Sequence, residues 1–349
     1  MEILALNWTR DSAETQYCFP HLKGSCLRSQ TPIIIKVVMY MLMAVTILLT
    51  VCGNLLVIIV ISHFRQLHSP TNLLILSLAC IDWFLGAFIM PYSMIRSVEN
   101  CWYFGETFCK IHSSLDIMMT VASLLHLGLI SVDRYLSICK PLQYSTSVTT
   151  RNVAALVVIT WMFSFAFGFG VIHSNINRVG MEKLLMNNSC TGNCTFFFNK
   201  EGGMMAIILG FFIPGSVMIA LYMKIFCVAK EQARKIDCSL AMTRARCDKK
   251  CPSEHRERKA AKTLAIALGV FLLCWLPLVM ALIIDPFFDF SAPVVLFDAF
   301  LWLGYFNSTC NPVIYGFFFS CFQKVFKIIL SGKIFQNGSS LLNIYEENY

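Results

Sequence analysis

The sequence predicts an all-α membrane protein, a bundle of seven transmembrane helices followed by a short cytosolic amphipathic helix. Three observations carry that expectation. Hydrophobic residues make up 57% of the 349 and charged residues only 14%, against about a quarter charged in soluble domains. The apolar residues fall in seven windows long enough, at 1.5 Å per helical residue, to cross a hydrocarbon layer of about 30 Å. Pro91, Pro214, Pro277 and Pro312 stand inside those windows, where they would break a soluble helix but are tolerated as kinks in a buried membrane helix. The composition excludes a soluble enzyme, a DNA-binding module and a disordered chain. A formal charge of +8 on so apolar a chain reads as membrane orientation rather than nucleic-acid affinity.

Element by element, residues 37–64 contain no Asp, Glu, Lys or Arg, 66–95 hold only Asp82, and 111–132 hold only Asp116. The windows 152–177, 202–223 and 263–284 hold none, and 291–323 hold only Asp298. Backbone groups in lipid must be satisfied internally, so windows of this length are helices. The expected spans are 34–62, 71–96, 106–138, 152–174, 203–230, 260–284 and 293–318, within a bundle over 34–318. A glycosylated leader over 1–33 precedes them and a cytosolic helix and tail over 319–349 follow.

Seven crossings put the termini on opposite sides. The first, third and fifth connections and the C-terminal end carry 19 of the 28 Lys and Arg residues, including twelve between Lys224 and Lys262, and the other side carries nine. By the positive-inside rule the N-terminus is expected outside and the C-terminus in the cytosol, and the plasma membrane is the expected location. The opening residues lack the basic start and apolar run of a signal peptide. Sequons at Asn7 and Asn187 both fall outside; a third at Asn193 includes Cys194 and competes with disulfide formation.

Six of the 16 cysteines lie on that outer side: Cys18, Cys26, Cys101, Cys109, Cys190 and Cys194. Three bridges are expected, in any of 15 pairings. Cys247 and Cys251 fall short of the four ligands of structural zinc, so no metal or enzymatic cofactor is expected. The soluble segments are too short to hold a core. Function therefore resides in the bundle and at its cytosolic mouth.

A carboxylate inside a span is expensive, and each is a functional hypothesis. Asp116 lies 18 residues before Arg134, roughly 27 Å along a helix. With Arg134 at the cytosolic boundary, Asp116 falls in the outer third of the bundle, shielded from bulk water. There it serves as counter-ion to a cation, an ammonium ligand being the simplest; the bland reading is a structural aspartate satisfied by polar neighbours. Asp82 has Ser123, Asn307, Ser308 and Asn311 as polar company, an oxygen-rich set suited to an allosteric sodium ion or a water network. Asp133-Arg134-Tyr135 ends the third span, where Arg134 pairs with Asp133 or, across the mouth, with Glu257, 20 residues before Pro277. Such a clamp is a bistable element that biases a switch without holding it alone. His126 reads as a hydrogen-bonded core residue, and no nucleophile–base set points to an enzyme.

Taken together these residues resemble the rhodopsin-like G-protein-coupled receptors. The ordered set is Gly53-Asn54, Leu78-Ala79 to Asp82, Cys109, Asp116, Asp133-Arg134-Tyr135, Trp161, Pro214, Cys274-Trp275-Leu276-Pro277 and Asn311-Pro312-Val313-Ile314-Tyr315. Finer runs resemble the trace amine-associated receptors, especially their first subtype. They include His63-Phe64-Arg65-Gln66-Leu67-His68, Met90-Pro91-Tyr92-Ser93-Met94, Cys101-Trp102-Tyr103-Phe104-Gly105 and Asn307-Ser308-Thr309.

The resemblance implies a receptor for small protonated amines that couples to a heterotrimeric G protein, usually the stimulatory class that raises cyclic AMP. It implies a pocket of Asp116, Ile117, Thr120, Trp275, Leu278, Val279 and Trp302, closed at the amine end by Tyr305. The implied switch pivots at Pro277, with Phe271 repacking against Pro214 and Leu124 and with Arg134 and Tyr315 engaged at the cytosolic end. It also implies bridges Cys109–Cys194, Cys18–Cys190 and Cys26–Cys101. Leu278 and Val279 stand where aminergic receptors carry aromatics. Ala206, Ile207 and Gly210 stand where catecholamine receptors carry hydroxyls, and Ser320-Cys321-Phe322 stands where relatives carry a Trp-Phe pair. Small apolar amines are therefore expected to be preferred over catecholamines. Two rival readings remain at this point. Asp298 with Asp116 would hold both ends of a diamine, unless Asp298 is a solvated helix-start acid; a transporter would carry amines past Asp116.

Overall fold

The computed structural model describes residues 17–174, 179–182, 186, 189–195, 199–242, 252–318, 320–332 and 336. Over 229–242 and 252–265, and at a few other helix positions including Tyr315, the description is of the backbone alone. The sequons at Asn7 and Asn187, the pair Cys247 and Cys251, and the tail beyond 336 lie outside the described residues.

Among these residues seven long helices form the bundle. The first is Ile33–His63 and the third Glu106–Cys139; the fourth is Thr150–His173, the sixth Pro252–Ile284 and the seventh Val294–Phe318. The second is Pro70–Phe84 continued through a π turn, Leu85–Ile89, into Met90–Glu99. The fifth is built the same way from Lys200–Ile207, Ile208–Phe212 and Ile213–Met242. Six of the seven are apolar enough over the described residues to cross a membrane. The seventh, 25 residues long with Asp298 as its one acidic or basic residue, spans about 37 Å at helical rise. A short helix, Pro141–Ser147, joins the third to the fourth, and a terminal helix, Ser320–Leu330, follows the seventh. The described residues contain no strand, only two isolated bridges.

Local chemistry fixes the starts of the helices. Ser69, Thr149 and Asn199 stand before the second, fourth and fifth, and each side chain accepts from a backbone N–H three residues on, satisfying a donor the helix leaves orphaned. Both π turns precede a proline. Met90 N–H donates to Leu85 O and Ile213 N–H to Ile208 O, five residues back; Pro91 and Pro214 follow. A proline in a regular helix would clash with the carbonyl four residues behind, and the wider turn relieves that clash while rotating everything beyond it. The fifth and sixth helices run past their apolar windows, to Met242 and back to Pro252. The sequence there is rich in Ala, Lys, Glu, Gln and Arg, strong helix formers that need no lipid.

The third helix is the axis, packed against the second, fourth, fifth and sixth. Its closest neighbour is the fourth, because a Cβ on Gly168 would lie 2.5 Å from Ser114 O. One buried cluster joins Val57, Leu78, Leu124, Leu127, Phe271 and Trp275. Phe322 and Val325 belong to it as well, and this spacing makes the terminal helix amphipathic. Outward-facing Met41, Leu42, Leu48, Val158, Ile159 and Met162 are exposed, an apolar belt that only lipid covers.

The leader folds over the end of the bundle where the second and third helices meet. Cys109–Cys194 is present as expected, but the other two bridges are Cys18–Cys101 and Cys26–Cys190. The expected Cys18–Cys190 and Cys26–Cys101 pairs are thus corrected, for a backbone reason. Cys26 N–H donates to Thr191 O at 3.0 Å and Thr191 N–H to Gly24 O at 2.9 Å, laying Cys26 beside Cys190. Cys18 N–H donates to Cys26 O at 2.8 Å in a return turn that carries Cys18 to Cys101. Arg28 and Lys36 both ion-pair with Glu99, at 2.6 and 3.0 Å, and Tyr40 O–H donates to it at 3.1 Å. The Glu99 carboxylate beside Arg28 raises that guanidinium above its ordinary value.

Candidate ligand pocket

The residue that organises the site is Asp116, two turns below Cys109 on the third helix, whose upper end the bridge to Cys194 holds. Tyr305 O–H donates to Asp116 Oδ2 at 2.8 Å. Behind Tyr305, Ser93 Oγ lies 3.1 Å from its hydroxyl, and His112 Nε2 lies 3.3 Å from Ser93 and 3.1 Å from Ile89 O. A carbonyl only accepts, so His112 Nε2 carries the proton. The chain then runs one way, His112 to Ser93 to Tyr305 to Asp116. The π turn at Leu85–Ile89 makes it possible by turning Ser93 inward. Asp116 Oδ1 has no hydrogen-bond partner among the described residues, although it is buried.

Asp116 lines a cavity of about 430 Å³, within the range that takes small ligands. Trp275, Phe211 and Leu124 line it, with Ile117, Thr120 and Val121 of the third helix. Trp275 presses on Gly304, where a Cβ would approach the ring to 2.9 Å, so the seventh helix offers the indole a flat seat. Ala206, Ile207 and Gly210 line it from the fifth helix, Leu278, Val279 and Leu282 from the sixth, and Gly192–Thr195 from the loop tied to Cys109. A Cβ on Gly210 would come within 3.0 Å of the Phe167 ring, so this wall is apolar and already full.

Seven of the nine expected ligand residues line the cavity: Asp116, Ile117, Thr120, Trp275, Leu278, Val279 and Asp298. Tyr305 and Trp302 stand outside the lining. Tyr305 is fully buried and supports Asp116 from behind. Trp302 donates its indole N–H to Ser97 Oγ at 3.2 Å and sets its ring edge against Tyr305.

Arg96, the last residue of the expected second span, also lines the cavity. It occupies the last turn of the second helix, and its guanidinium faces Asp298 at 3.7 Å. Asp298 is therefore neither a solvated helix-start acid nor an unpaired second carboxylate. The helix continues past Arg96 to Glu99 and is ended by Asn100, whose backbone is left-handed.

Deeper in the bundle, Asp82 Oδ1 accepts from Ser308 Oγ and Oδ2 from Asn311 Nδ2, both at 2.7 Å. Both amide atoms of Asn307, Ser123 Oγ and Asn54 Oδ1 are buried with no partner among the described residues. Buried polar atoms left over around a carboxylate are what a water cluster or small cation would satisfy. His126 is a core residue, bonded to Ser77 Oγ and Ala122 O at 2.8 Å each.

At the far end Asp133 holds Arg134 through Oδ2 and also accepts from Thr71 Oγ1 at 3.0 Å. Tyr144 O–H, from the short helix after the third, donates to Asp133 Oδ1 at 3.1 Å. Burial pushes the Tyr144 phenol up, so it stays protonated and able to donate. Tyr135 packs partly buried against the core, and Phe271 stacks on Phe211 at 5.8 Å in the cluster that holds Leu124. Pro277 lies inside the sixth helix. The side chains of Glu257 and Tyr315 lie outside the described set, so the Arg134–Glu257 clamp does too.

A seven-helix bundle with a carboxylate-bearing cavity leaves the family open, and similarity decides it. Residues 53–315 match the 7 transmembrane receptor (rhodopsin family). This chain belongs to that family. Within it the receptor is similar to the mouse protein "Trace amine-associated receptor 2", 48% identical over 334 residues and 96% of each chain. It is 46% identical to mouse "Trace amine-associated receptor 4" over 335 residues and 96% of each. It is 44% identical to human "Trace amine-associated receptor 1" over 333 residues, 95% of this chain and 98% of the other. The receptor is thus one of the trace amine-associated group, with similar identity to three of its subtypes, and a multi-pass membrane protein rather than an enzyme.

Proposed function

We propose that this receptor detects small primary amines carrying one positive charge. The observation that carries the reading is the Asp116 carboxylate, which lines a largely apolar cavity and has one oxygen with no hydrogen-bond partner among the described residues. An ammonium there gains a charge-assisted hydrogen bond that the ligand-free receptor cannot make internally. The apolar body of the amine then packs on Ile117, Val121, Phe211 and Trp275. The names of the relatives support the same reading.

The proposal extends to signalling. The N-terminus faces outward at the plasma membrane, as the Lys and Arg asymmetry favours. Pressure on Trp275 is passed to Phe271 and the Pro277 kink, the sixth helix moves outward, and Arg134 leaves Asp133 for a heterotrimeric G protein of the stimulatory class. Amines act only by binding one arrangement better than the other. A sodium ion held by Asp82, with Ser123, Asn307 and Asn311 nearby, would stabilise the resting arrangement.

A cyclic AMP reporter in cells expressing the receptor tests this. Phenethylamine should raise cyclic AMP, and Asp116→Asn should shift its potency thirty-fold or more, since truncating a buried charge pair costs about 2–5 kcal/mol. Full amine sensitivity in Asp116→Asn would end the reading. Uptake of labelled amine without a cyclic AMP response would favour a transporter instead.

A further inference from the structure

The cavity contains a second carboxylate, and its partner bears on which amines can enter. Asp298 and Tyr305 are seven residues apart on the seventh helix, two turns along one face and about 10 Å by helical rise. Tyr305 touches Asp116. Asp298 therefore sits above Asp116 in the same cavity, where the far end of an elongated ligand would lie. A cavity with two bare carboxylates at that spacing would prefer a diamine.

Asp298 is not bare. Arg96 Nη2 lies 3.7 Å from Asp298 Oδ1, and both side chains are mostly buried and line the cavity. A guanidinium remains charged at any physiological pH, so the compensation is permanent. At 3.7 Å the pair is held by charge rather than by a close hydrogen bond, which leaves the Asp298 carboxylate balanced without being sealed away. Arg96 itself is well anchored. Its carbonyl accepts from Asn100 N–H at 2.9 Å, and the following Cys101 is bridged to Cys18 of the leader.

We infer that Arg96 determines the class of amine the receptor accepts: its guanidinium fills the place beside Asp298 that the second ammonium of a diamine would need. The inference rests on the amine reading of Asp116. Discrimination then comes from repulsion of the wrong ligand as much as from attraction of the right one. A monoamine puts its charge on Asp116 and its neutral end near Arg96 at no electrostatic cost. A diamine brings a second cation against a guanidinium in a water-poor space, where like charges repel strongly. Removing the guanidinium leaves a carboxylate uncompensated, and a diammonium ligand is its natural replacement.

The test is ligand-induced thermal stabilisation of the purified full-length receptor, which needs no G protein, read as the ratio of cadaverine to phenethylamine affinity. Arg96→Gln should raise that ratio at least tenfold. Arg96→Lys, which keeps a cation, should not raise it. Asp298→Asn should lower it, because the guanidinium is then unopposed, and Arg96→Gln with Asp298→Asn should lose the gain. An unchanged ratio in Arg96→Gln overturns the inference, as does an equal gain in Arg96→Lys. A gain that survives in the double variant does so too, since Asp285, which also lines the cavity, would then be the second site. If Arg96→Gln does not fold, a ratio that stays level or rises in Asp298→Asn overturns it independently. Absence of any phenethylamine shift in the unmodified receptor is a different result and sinks the amine reading itself.

Discussion

Tyr305 donates its phenolic proton to Asp116 across 2.8 Å, joining the seventh helix to the third behind the cavity rather than within it. The bond engages one carboxylate oxygen, and the other has no hydrogen-bond partner among the described residues. It also makes Tyr305 the outlet of a one-way chain that begins at His112. Tyr305→Phe removes the donor from a buried acceptor, which costs about 1–3 kcal/mol. Thermal unfolding of the ligand-free variant should therefore occur several degrees lower. A saturating monoamine should recover part of the loss, because the ammonium supplies a new partner. An unaltered midpoint would mean the bond contributes nothing to the resting receptor.

The fifth-helix wall argues for a preference within the monoamines. Ala206, Ile207 and Gly210 offer a catechol no hydroxyl, and each buried hydroxyl left unpaired costs about 1–3 kcal/mol. Dopamine should be at least tenfold less potent than phenethylamine. Ala206→Ser should narrow the gap, whereas adding a side chain at Gly210 meets the Phe167 ring at 3.0 Å and should weaken both ligands. Concentration–response curves for the two amines on the three receptors decide it; dopamine outperforming phenethylamine on the unmodified receptor refutes the argument.

What could be read from the chain follows the range of the forces involved. A span and the charge within it are local facts, so the helices and the prominence of Asp116 and Asp82 were legible in the sequence. Arg96 was legible as the end of the second span but not as the partner of Asp298, because that pairing depends on how the second and seventh helices pack. The resemblance placed Tyr305 at the amine end of the pocket but not behind the Asp116 carboxylate as its hydrogen-bond donor, since that depends on how two helices are rotated. The π turns before Pro91 and Pro214 set such rotations, and their five-residue bonds leave no separate mark in hydropathy. The leader's bridges depend on backbone pairing between Cys26 and Thr191, 165 residues apart in the sequence. No local pattern encodes that.

Those bridges give a direct chemical prediction. Peptide mapping of the unreduced receptor should yield Cys18 linked to Cys101 and Cys26 linked to Cys190. Cys26→Ser should then release Cys190 for thiol labelling and leave Cys101 protected. Each lost bridge should lower stability by about 2–5 kcal/mol and loosen the leader's hold above Arg96. Labelling of Cys101 in Cys26→Ser would restore the other pairing.

At the opposite end, Tyr144 meets the one oxygen of Asp133 that Arg134 leaves open, at 3.1 Å. While both oxygens are engaged, Asp133 is fixed against Thr71 and Arg134 is retained beside it. Tyr144→Phe keeps the ring and removes only the donor, so the change falls on the resting arrangement and not on packing. Losing one hydrogen bond from that arrangement shifts the balance by about 0.5–1.5 kcal/mol, and ligand-free signalling should rise roughly two- to tenfold. The site is far from the cavity, so intrinsic amine contacts are untouched and agonist potency should rise by no more than the same factor, as a population shift requires. Cyclic AMP measured without ligand at matched surface expression is the readout. Basal signal that falls or stays level in Tyr144→Phe would show that Tyr144 does not hold Asp133 in the resting receptor.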